Sequence, residues 1–460
     1  MTAVKPFYAR ELSEYPVGAR RLRLVAVAVL AGLIANFEAE MAPVLPLMLE
    51  DLDMSLSTYG LIAAISLIAG AMSAGIGGRL SDTWGRVTVL VPALLFTSFC
   101  VYAMVFVQTP RDLLIVRCAL SFIEGAAITT TAGLVRDFTP RVGRATAFGF
   151  WTWGPVGANF LAAAIAGWTL PIFGSWQSQF VIIGSVALVA SLAIAWSIAD
   201  ISPNLRAQVI ASVEQIKGHE GEGQVQDWGR ARELLRHPHI WAHLVGVTLW
   251  LVLYYTFNLY GPTLIQQSFG VTTAQAATVM AYFWVLNLGM LILVGWLSDR
   301  FQVRKPVSLV GAVLTTACSV YFIGLMGGNP GIGLLSVAGA LLGAFMAIAF
   351  VPWMANFSED AEDVKAILQG TAWGAWGMSV RVMIIVVLLT APLTVEAAGS
   401  WVTWMIIATV CEALFIPAVF LFKGRWRPAR RAAGPTALAD QPTRRAHDVA
   451  RGGDTGNRAG

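Results

Sequence analysis

The chain has 460 residues, of which 57% are hydrophobic and 13% are charged, and its formal net charge is +4. Soluble globular proteins carry a far larger share of charged residues, so this composition excludes a water-soluble fold and makes lipid the expected solvent. Apolar runs of about 18 residues or more recur along the chain, and each can cross a hydrocarbon core about 30 Å thick as one helix.

Twelve such runs predict an all-α membrane protein with twelve transmembrane helices, numbered here as spans 1 to 12. In chain order they cover residues 22–47, 57–79, 88–107, 113–134, 145–168, 177–198, 240–264, 274–297, 307–326, 332–354, 367–391 and 401–422. The four cysteines lie within these runs, and the sequence has no P-loop, paired-histidine metal motif or nucleophile elbow. We therefore expect no enzymatic activity, no metal and no other cofactor.

Lys and Arg residues are concentrated in alternate connections between the spans. They precede span 1 and recur in every second connection, whereas the remaining connections contain Arg111 alone. Because basic residues in short loops stay on the cytoplasmic side, we expect a multi-pass protein of the inner cell membrane with both termini in the cytoplasm.

Polar segments divide the apolar chain into five parts. The segment after span 6 separates two groups of six spans, and the Arg-, Ala-, Gly- and Pro-rich end of the chain has little to bury and is expected to be disordered. The predicted parts are a cytoplasmic tail at 1–20, a six-helix bundle at 21–199, a cytoplasmic loop at 200–239, a second six-helix bundle at 240–422 and a disordered tail at 423–460.

The two bundles repeat each other in sequence. The stretch "GGRLSDTWGRV" at the end of span 2 returns as "GWLSDRFQVRKP" at the end of span 8, so that Asp82 and Asp299 are 217 residues apart (299 − 82). Pro46 and Pro262 differ by nearly the same offset, 216 residues (262 − 46). Such a duplication is typical of secondary transporters, whose substrate site lies between the repeats. We predict two six-helix repeats around a central cavity.

On these motifs the chain resembles the major facilitator superfamily, whose loop signature has the form G-x-L-x-D-R-x-G-R-[RK]. Thr83 replaces the first Arg of the first copy, and Gln302 replaces a Gly of the second. The resemblance implies that the loop is a cytoplasmic latch in which Asp82 and Arg86 hold the outward-facing state closed on the inside. The gating-motif residues are Gly78, Asp82, Gly85, Arg86, Gly295, Asp299 and Arg300.

Charged residues inside the spans are costly to bury and mark candidate functional positions. We predict that Glu38, Glu40, Arg117 and Glu124 take part in proton coupling. Arg117 and Glu124 share one face of span 4 with Ser121, and the resemblance implies that span 4 lines the cavity. A structural contact between spans is the alternative for Arg117 and Glu124. Which of Glu38 and Glu40 faces the cavity stays open, because residues two apart cannot share a helix face.

The predicted substrate wall in the second bundle is aromatic, with a few polar groups. Such walls hold small organic ligands, although helix packing is the commoner role for any single Trp or Tyr. Arg381 in span 11 has no carboxylate three or four residues away and is suited to receive the carboxylate of a substrate. The predicted substrate-binding residues are Tyr254, Asn258, Trp284, Asn287, Trp376 and Arg381.

These features predict a secondary transporter that takes up an organic acid or related metabolite together with protons. The stretch "NFEAEMAPVLP" in span 1 resembles the start of proton-coupled symporters for aromatic and other organic acids, with Glu38 at the Asp position. The alternative is a proton antiporter that exports drugs or metabolites, since "WGPVGANF" in span 5 partly resembles an antiporter motif. The expected partners are a small-molecule solute, protons and the lipid bilayer, with no nucleic acid, and the expected state is a monomer.

Overall fold

The computed structural model of the protein describes residues 8, 10–37, 41–138, 150–202, 204–205, 234–301, 303–364, 369–424 and 426–427. Within these residues the fold is built from long helices and one pair of two-residue strands. The helices are α1 Gly18–Ile34, α2 Met41–Asp51, α3 Leu56–Trp84, α4 Arg86–Ala103, α5 Pro110–Phe138, α6 Trp153–Phe173, α7 Trp176–Ser197, α8 Pro238–Phe269, α9 Thr273–Phe301, α10 Lys305–Leu325, α11 Ile332–Val364, α12 Gln369–Ala398, α13 Trp401–Ala413 and α14 Phe415–Leu421.

The helices correspond to the predicted spans. Span 1 consists of α1 and α2, spans 2 to 11 are α3 to α12, and span 12 consists of α13 and α14. Eleven candidate membrane spans are long and apolar enough within the described residues, with α13 and α14 counted as one. Span 1 is not among them because α1 and α2 have only 17 and 11 residues, and a spanning helix needs about 20. The prediction of an all-α membrane protein is confirmed.

Several helices continue beyond the predicted spans. α3 ends at Trp84 and α11 at Val364, whereas the apolar runs predicted ends at residues 79 and 354. Hydropathy marks the part of a helix that lies in hydrocarbon, while the backbone hydrogen bonds of a helix persist in water. In span 12, Pro417 offers no backbone N–H and separates α14 from α13 at Leu414.

A strand pair joins the two ends of the first bundle, which the helical prediction did not include. β1 Glu11–Leu12 pairs in parallel with β2 Asp200–Ile201. The backbone N–H of Asp200 donates to Arg10 O at 2.8 Å, and that of Ser202 donates to Leu12 O at 3.0 Å. Two residues are too short for alternation of apolar and polar side chains to reveal a strand.

Consecutive spans are antiparallel, so the helix ends gather at two ends of the molecule. We call the end that carries Gly18 and Leu421 the tail end, because both terminal segments emerge there, and the opposite end the far end. At the far end, Trp176 Nε1 donates to Asp51 Oδ2 at 2.8 Å and so ties span 6 to span 1. The strand pair β1–β2 lies at the tail end.

Small residues let neighbouring spans approach closely. An added methyl group at Gly125 of span 4 would collide with the Gly70 carbonyl of span 2, and one at Gly343 of span 10 would collide with the Phe283 carbonyl of span 8. Spans 2 and 4 in the first bundle thus pack as spans 8 and 10 do in the second. Close packing at glycine is a main source of helix association in lipid.

The two bundles contact each other through spans 1 and 7, 2 and 11, and 5 and 8. The backbone N–H of Ser57 donates to Glu396 Oε1 at 2.8 Å across this boundary. Gly60 lies against the Leu388 carbonyl, and an added methyl group at Gly167 would meet Thr278 Oγ1 at 2.6 Å. Between described residues, the hydrogen bonds, ring contacts and close glycine contacts that join the bundles all lie in the half towards the far end.

Candidate transport site and gates

Arg117 lies near the middle of the first bundle with 4% of its surface exposed. Its Nε donates to Ser66 Oγ at 3.0 Å, and its Nη1 donates to the Tyr59 hydroxyl at 2.7 Å and to Met41 Sδ at 2.8 Å. The guanidinium also lies over the Tyr59 ring, 4.9 Å from its centroid. These neighbours belong to spans 1 and 2, so Arg117 lies where spans 1, 2 and 4 meet.

Glu124 is buried two helical turns beyond Arg117 on span 4, with Ser121 buried between them. The Ser121 carbonyl lies against Gly70 of span 2. Glu38 and Glu40 lie outside the described residues. A part for these four charged residues in proton coupling stays a prediction.

A small cavity lies between the two bundles in the middle of the molecule. It encloses about 190 Å³ of empty space, and spans 1, 5, 7 and 8 contribute its walls. Asn258 and Trp284, both predicted to bind substrate, line it together with Asn159 of the opposite bundle. Asn159 Nδ2 donates to the Pro155 carbonyl at 3.0 Å, which leaves its amide oxygen to be turned towards a ligand. The full lining is Ala42, Pro43, Asn159, Ala163, Phe257, Asn258, Pro262, Met280 and Trp284.

Aromatic contacts extend from this cavity along span 7. The Tyr254 ring meets Trp284 edge to face, with centroids 5.7 Å apart, and meets Tyr255 in the same way at 5.5 Å. Trp250 stacks on Phe350 of span 10 at 5.6 Å. The structure therefore brings Tyr254, Asn258 and Trp284 together, as the sequence predicted for a binding wall.

Two other predicted binding residues face neighbouring helices. Asn287 is buried, and its Nδ2 donates to the Gly343 carbonyl of span 10 at 2.8 Å. Trp376 packs against Trp353 at 6.2 Å and Trp373 at 5.4 Å. The Trp376 indole N–H has no acceptor among the described residues. Asn287 is thus committed to a contact between spans, whereas Trp376 keeps an unused donor.

Arg381 is exposed near the middle of span 11. Its side chain runs back along the helix over Gly377, where an added Cβ would lie 3.7 Å from Nη1. It is close enough to the Tyr255 hydroxyl to interact with it electrostatically. Within the described part of the chain, no carboxylate forms an ion pair with Arg381.

The first gating motif lies where α3 meets α4. Gly85 has φ 96° and ψ 144°, a conformation that only glycine adopts readily. The Arg86 guanidinium forms an ion pair with Asp137 at the end of span 4, with 3.1 Å between Nη1 and Oδ2 and both side chains almost fully buried. Asp200 caps the start of α4, accepting from the Arg86 backbone N–H at 2.7 Å. The turn is thus fixed by carboxylates from two other elements.

Some gating-motif residues are described only in part. Gly78 lies in α3, and Gly295 and Arg300 lie in α9. The Arg300 guanidinium lies over the Trp296 ring at 5.3 Å. The side chains of Asp82 and Asp299 lie outside the described part of the structure, so a latch role for them stays a prediction.

The sequence analysis did not identify Asp137 or its counterpart in the second bundle. There, Arg304 Nη2 lies 3.3 Å from Glu359 Oε1. The two arginines are 218 residues apart (304 − 86) and the two carboxylates 222 apart (359 − 137). The repeat offset already measured between Asp82 and Asp299 was therefore the signal that could have found both ion pairs.

A second group at the tail end was also missed. His243 Nε2 and Asp360 Oδ2 are 2.7 Å apart and fully or almost fully buried, joining span 7 to span 10. The segment after span 12 closes over them: the His243 ring stacks on Phe422 at 3.8 Å, and the Lys423 backbone N–H donates to Asp360 Oδ2 at 3.0 Å. Lys305 Nζ donates to the Phe422 carbonyl at 2.6 Å. The predicted disordered tail therefore begins with a fixed residue.

Comparisons with known proteins agree with this architecture. The family model of the Major Facilitator Superfamily matches residues 24–386. A gallate transporter of Pseudomonas putida is 24% identical over 320 residues, covering 65% of this chain and 70% of the relative. The 4-hydroxybenzoate transporter PcaK of Pseudomonas aeruginosa is 24% identical over 322 residues, again covering 65% of this chain and 70% of the relative.

Two further matches concern an exporter and a solved structure. The multidrug resistance protein MdtG of Klebsiella pneumoniae is 37% identical over 98 residues, which is 20% of this chain and 24% of the relative. The crystal structure of a D-xylose-proton symporter matches with a TM-score of 0.65 and 18% identity, covering 88% of this chain and 98% of the symporter. This similarity confirms the twelve-helix fold of two repeats. Since the family model spans most of the chain, the protein belongs to the Major Facilitator Superfamily and is a membrane transporter of small solutes rather than an enzyme.

Proposed function

We propose that the protein takes up a small organic acid, with an aromatic carboxylate as the class that fits best, in symport with protons. Two relatives are named for gallate and 4-hydroxybenzoate, which are both aromatic carboxylates. The aromatic and amide groups of the inter-bundle cavity supply partners for a ring and for its hydroxyl substituents.

The observation that carries the proposal is the exposed guanidinium of Arg381. It has no carboxylate partner among the described residues and lies in electrostatic range of Tyr255, the neighbour of Tyr254 in the aromatic wall. A guanidinium binds a carboxylate through two parallel hydrogen bonds. An anionic group on the substrate would supply the charge that Arg381 lacks, while the ring would pack on the neighbouring aromatic side chains.

The conformation supports the proposed direction of access. The contacts between the bundles lie towards the far end, which closes the central cavity from that side. Lys and Arg are concentrated in the connections at the tail end, so the tail end is the cytoplasmic one by the positive-inside rule. We therefore assign the structure to an inward-facing state in the inner cell membrane. One chain contains both bundles and the cavity between them, as a functional monomer requires.

Proton coupling is assigned to the charged residues of the first bundle. Arg117 and Glu124 are buried on one helix, and a carboxylate that gains and loses a proton there would change the local balance of charge around Arg117. The alternative function, drug export by antiport, is favoured by the short match to MdtG and by the partial motif in span 5. That match covers too little of the chain to outweigh the aromatic-acid relatives.

Counterflow in proteoliposomes tests the proposal. We expect 4-hydroxybenzoate to exchange and to accumulate under a pH gradient, whereas neutral phenol and cationic ethidium should not. Arg381→Ala should weaken exchange of the anion by a factor of about 10 to 100, since a hydrogen bond to a charged group contributes about 1.5–3 kcal/mol. Arg20→Ala, at an exposed position in the first turn of α1, is the control. Exchange of ethidium without exchange of any organic acid would instead establish the exporter.

A further inference from the structure

A carboxylic acid lies in the middle of span 12, away from the candidate transport site. Glu412 is fully buried and lies about 16 Å along the helix from Trp401 at the far end. The sequence analysis did not include it among the charged residues of the spans. Its one hydrogen-bond partner in the described structure is Thr316 of span 9, whose Oγ1 lies 2.7 Å from Glu412 Oε2.

The surroundings of Glu412 offer nothing that would stabilise a negative charge. None of the described residues forms an ion pair with it, and no charged group is near enough to act on it electrostatically. Its second oxygen, Oε1, is buried without any hydrogen-bond partner among the described residues. An ionised carboxylate with one unsolvated oxygen is among the most costly groups to place in a membrane interior.

Hydrogen-bond bookkeeping identifies where a proton must be. Thr316 Oγ1 lies 2.7 Å from Glu412 Oε2 and also 3.0 Å from the Ala312 carbonyl. A hydroxyl has one proton to donate, and both a carboxylate and a carbonyl are acceptors only. With an ionised Glu412, one of these two short contacts would join two acceptors without a proton. With a neutral Glu412, its O–H donates to Thr316 and the Thr316 O–H donates to Ala312, so both contacts are hydrogen bonds.

We propose that Glu412 is a resident protonated carboxylic acid that bridges spans 12 and 9 as a hydrogen-bond donor. The proton stays on the oxygen that faces Thr316, and the other oxygen is a carbonyl, whose burial without a partner is far less costly than that of a carboxylate. The site binds a proton and no other ligand. It is separate from the transport cavity and takes no part in coupling, so it does not rest on the proposed substrate.

Infrared difference spectroscopy of the purified full-length protein at pH 7 tests this assignment. Wild type minus Glu412→Gln should show the carbonyl stretch of a protonated carboxyl group, shifted downward in heavy water. Thr316→Val should keep that band but move it to higher frequency, because the hydrogen bond to Thr316 is lost. Glu359→Gln is the control: its side chain is 53% exposed and forms an ion pair with Arg304, so it should remove carboxylate bands only.

Two results would overturn the proposal. Loss of carboxylate bands in Glu412→Gln, with no change in the carbonyl region, would mean that Glu412 is ionised. If Glu412→Gln does not fold, the spectrum of Thr316→Val against wild type decides the same point. Glu412→Gln should also keep gradient-driven accumulation within about twofold, because its amide can donate to Thr316 as the acid does. Loss of accumulation with counterflow intact would show that the proton is transported rather than resident.

Discussion

The rings of Tyr59 and Tyr260 meet edge to face across the boundary between the two bundles, with their centroids 6.3 Å apart. On one side, Arg117 donates to the Tyr59 hydroxyl. On the other, the Tyr260 hydroxyl donates to the Leu388 carbonyl at 3.0 Å. A buried cation of the first bundle is therefore in contact, through two aromatic rings, with the point where span 11 crosses span 2. Movement of the bundles at the far end must change the surroundings of Arg117.

Gly60 tests whether this crossing closes the far end. Gly60→Ala places a methyl group where it would collide with the Leu388 carbonyl, so the bundles should separate there. We expect a cysteine introduced at Ala42, which lines the inter-bundle cavity, to react several times faster with a membrane-impermeant thiol reagent applied from the far side. The background is the chain without its four native cysteines.

Gly324→Ala is the matched control for this experiment, since an added methyl group there meets no atom within 4 Å. Equal labelling in the Gly60 and Gly324 variants would mean that this crossing is not a gate.

The two repeat-related ion pairs should differ in strength. Asp137→Asn leaves the buried Arg86 guanidinium without its ion-pair partner, and breaking a buried pair costs about 3–5 kcal/mol. Glu359→Gln removes a pair whose carboxylate is 53% exposed, and such pairs contribute about 0–1 kcal/mol. Thermal unfolding in detergent should show a large loss of stability in the first variant and little change in the second. Similar losses in both would refute the ranking.

Glu124 is the described carboxylate that we expect to carry the coupled proton. Glu124→Gln should abolish accumulation of the organic acid under a pH gradient and leave counterflow within about threefold of wild type, because a neutral side chain mimics one protonation state permanently. Parallel measurements of both activities in the same proteoliposomes check this. Gradient-driven accumulation at the wild-type level would move the coupling role to Glu38 or Glu40.

Phe422 should act as a fastener for the tail end of the second bundle. Its ring stacks on His243 and is 4% exposed, and truncating a buried Phe costs about 3–5 kcal/mol. Phe422→Ala should therefore lower the unfolding temperature markedly. Phe420→Ala is the control, because Phe420 is 59% exposed and surface substitutions usually change stability by less than about 0.5 kcal/mol. Equal effects of the two substitutions would show that the stacking contact is unimportant.

The fold could be predicted because lipid imposes a simple rule: each crossing needs a long apolar run. The same rule gives poor helix ends, as α11 shows by continuing to Val364. It also hides the break in span 1, where neither α1 nor α2 is long enough by itself.

The candidate site could be predicted only in part. Tyr254, Asn258 and Trp284 lie on adjacent spans at one depth, which residue type and position indicate. The bond from Asn287 to the Gly343 carbonyl depends on the register between spans 8 and 10, and a single sequence does not contain that register. Glu412, by contrast, was visible as a carboxylate inside an apolar run.

The strand pair β1–β2 closes the first bundle into a ring, because Glu11 lies before span 1 and Asp200 follows span 6. Arg10 strengthens the closure from within, as its Nη2 donates to the Ala195 carbonyl at 3.3 Å. The beginning and end of this half of the molecule are thus fastened to each other and need no covalent continuation to stay together. The bundle is an independent unit of assembly, and the loop that follows β2 could be cut, with the two halves made as separate polypeptides that recombine in the membrane.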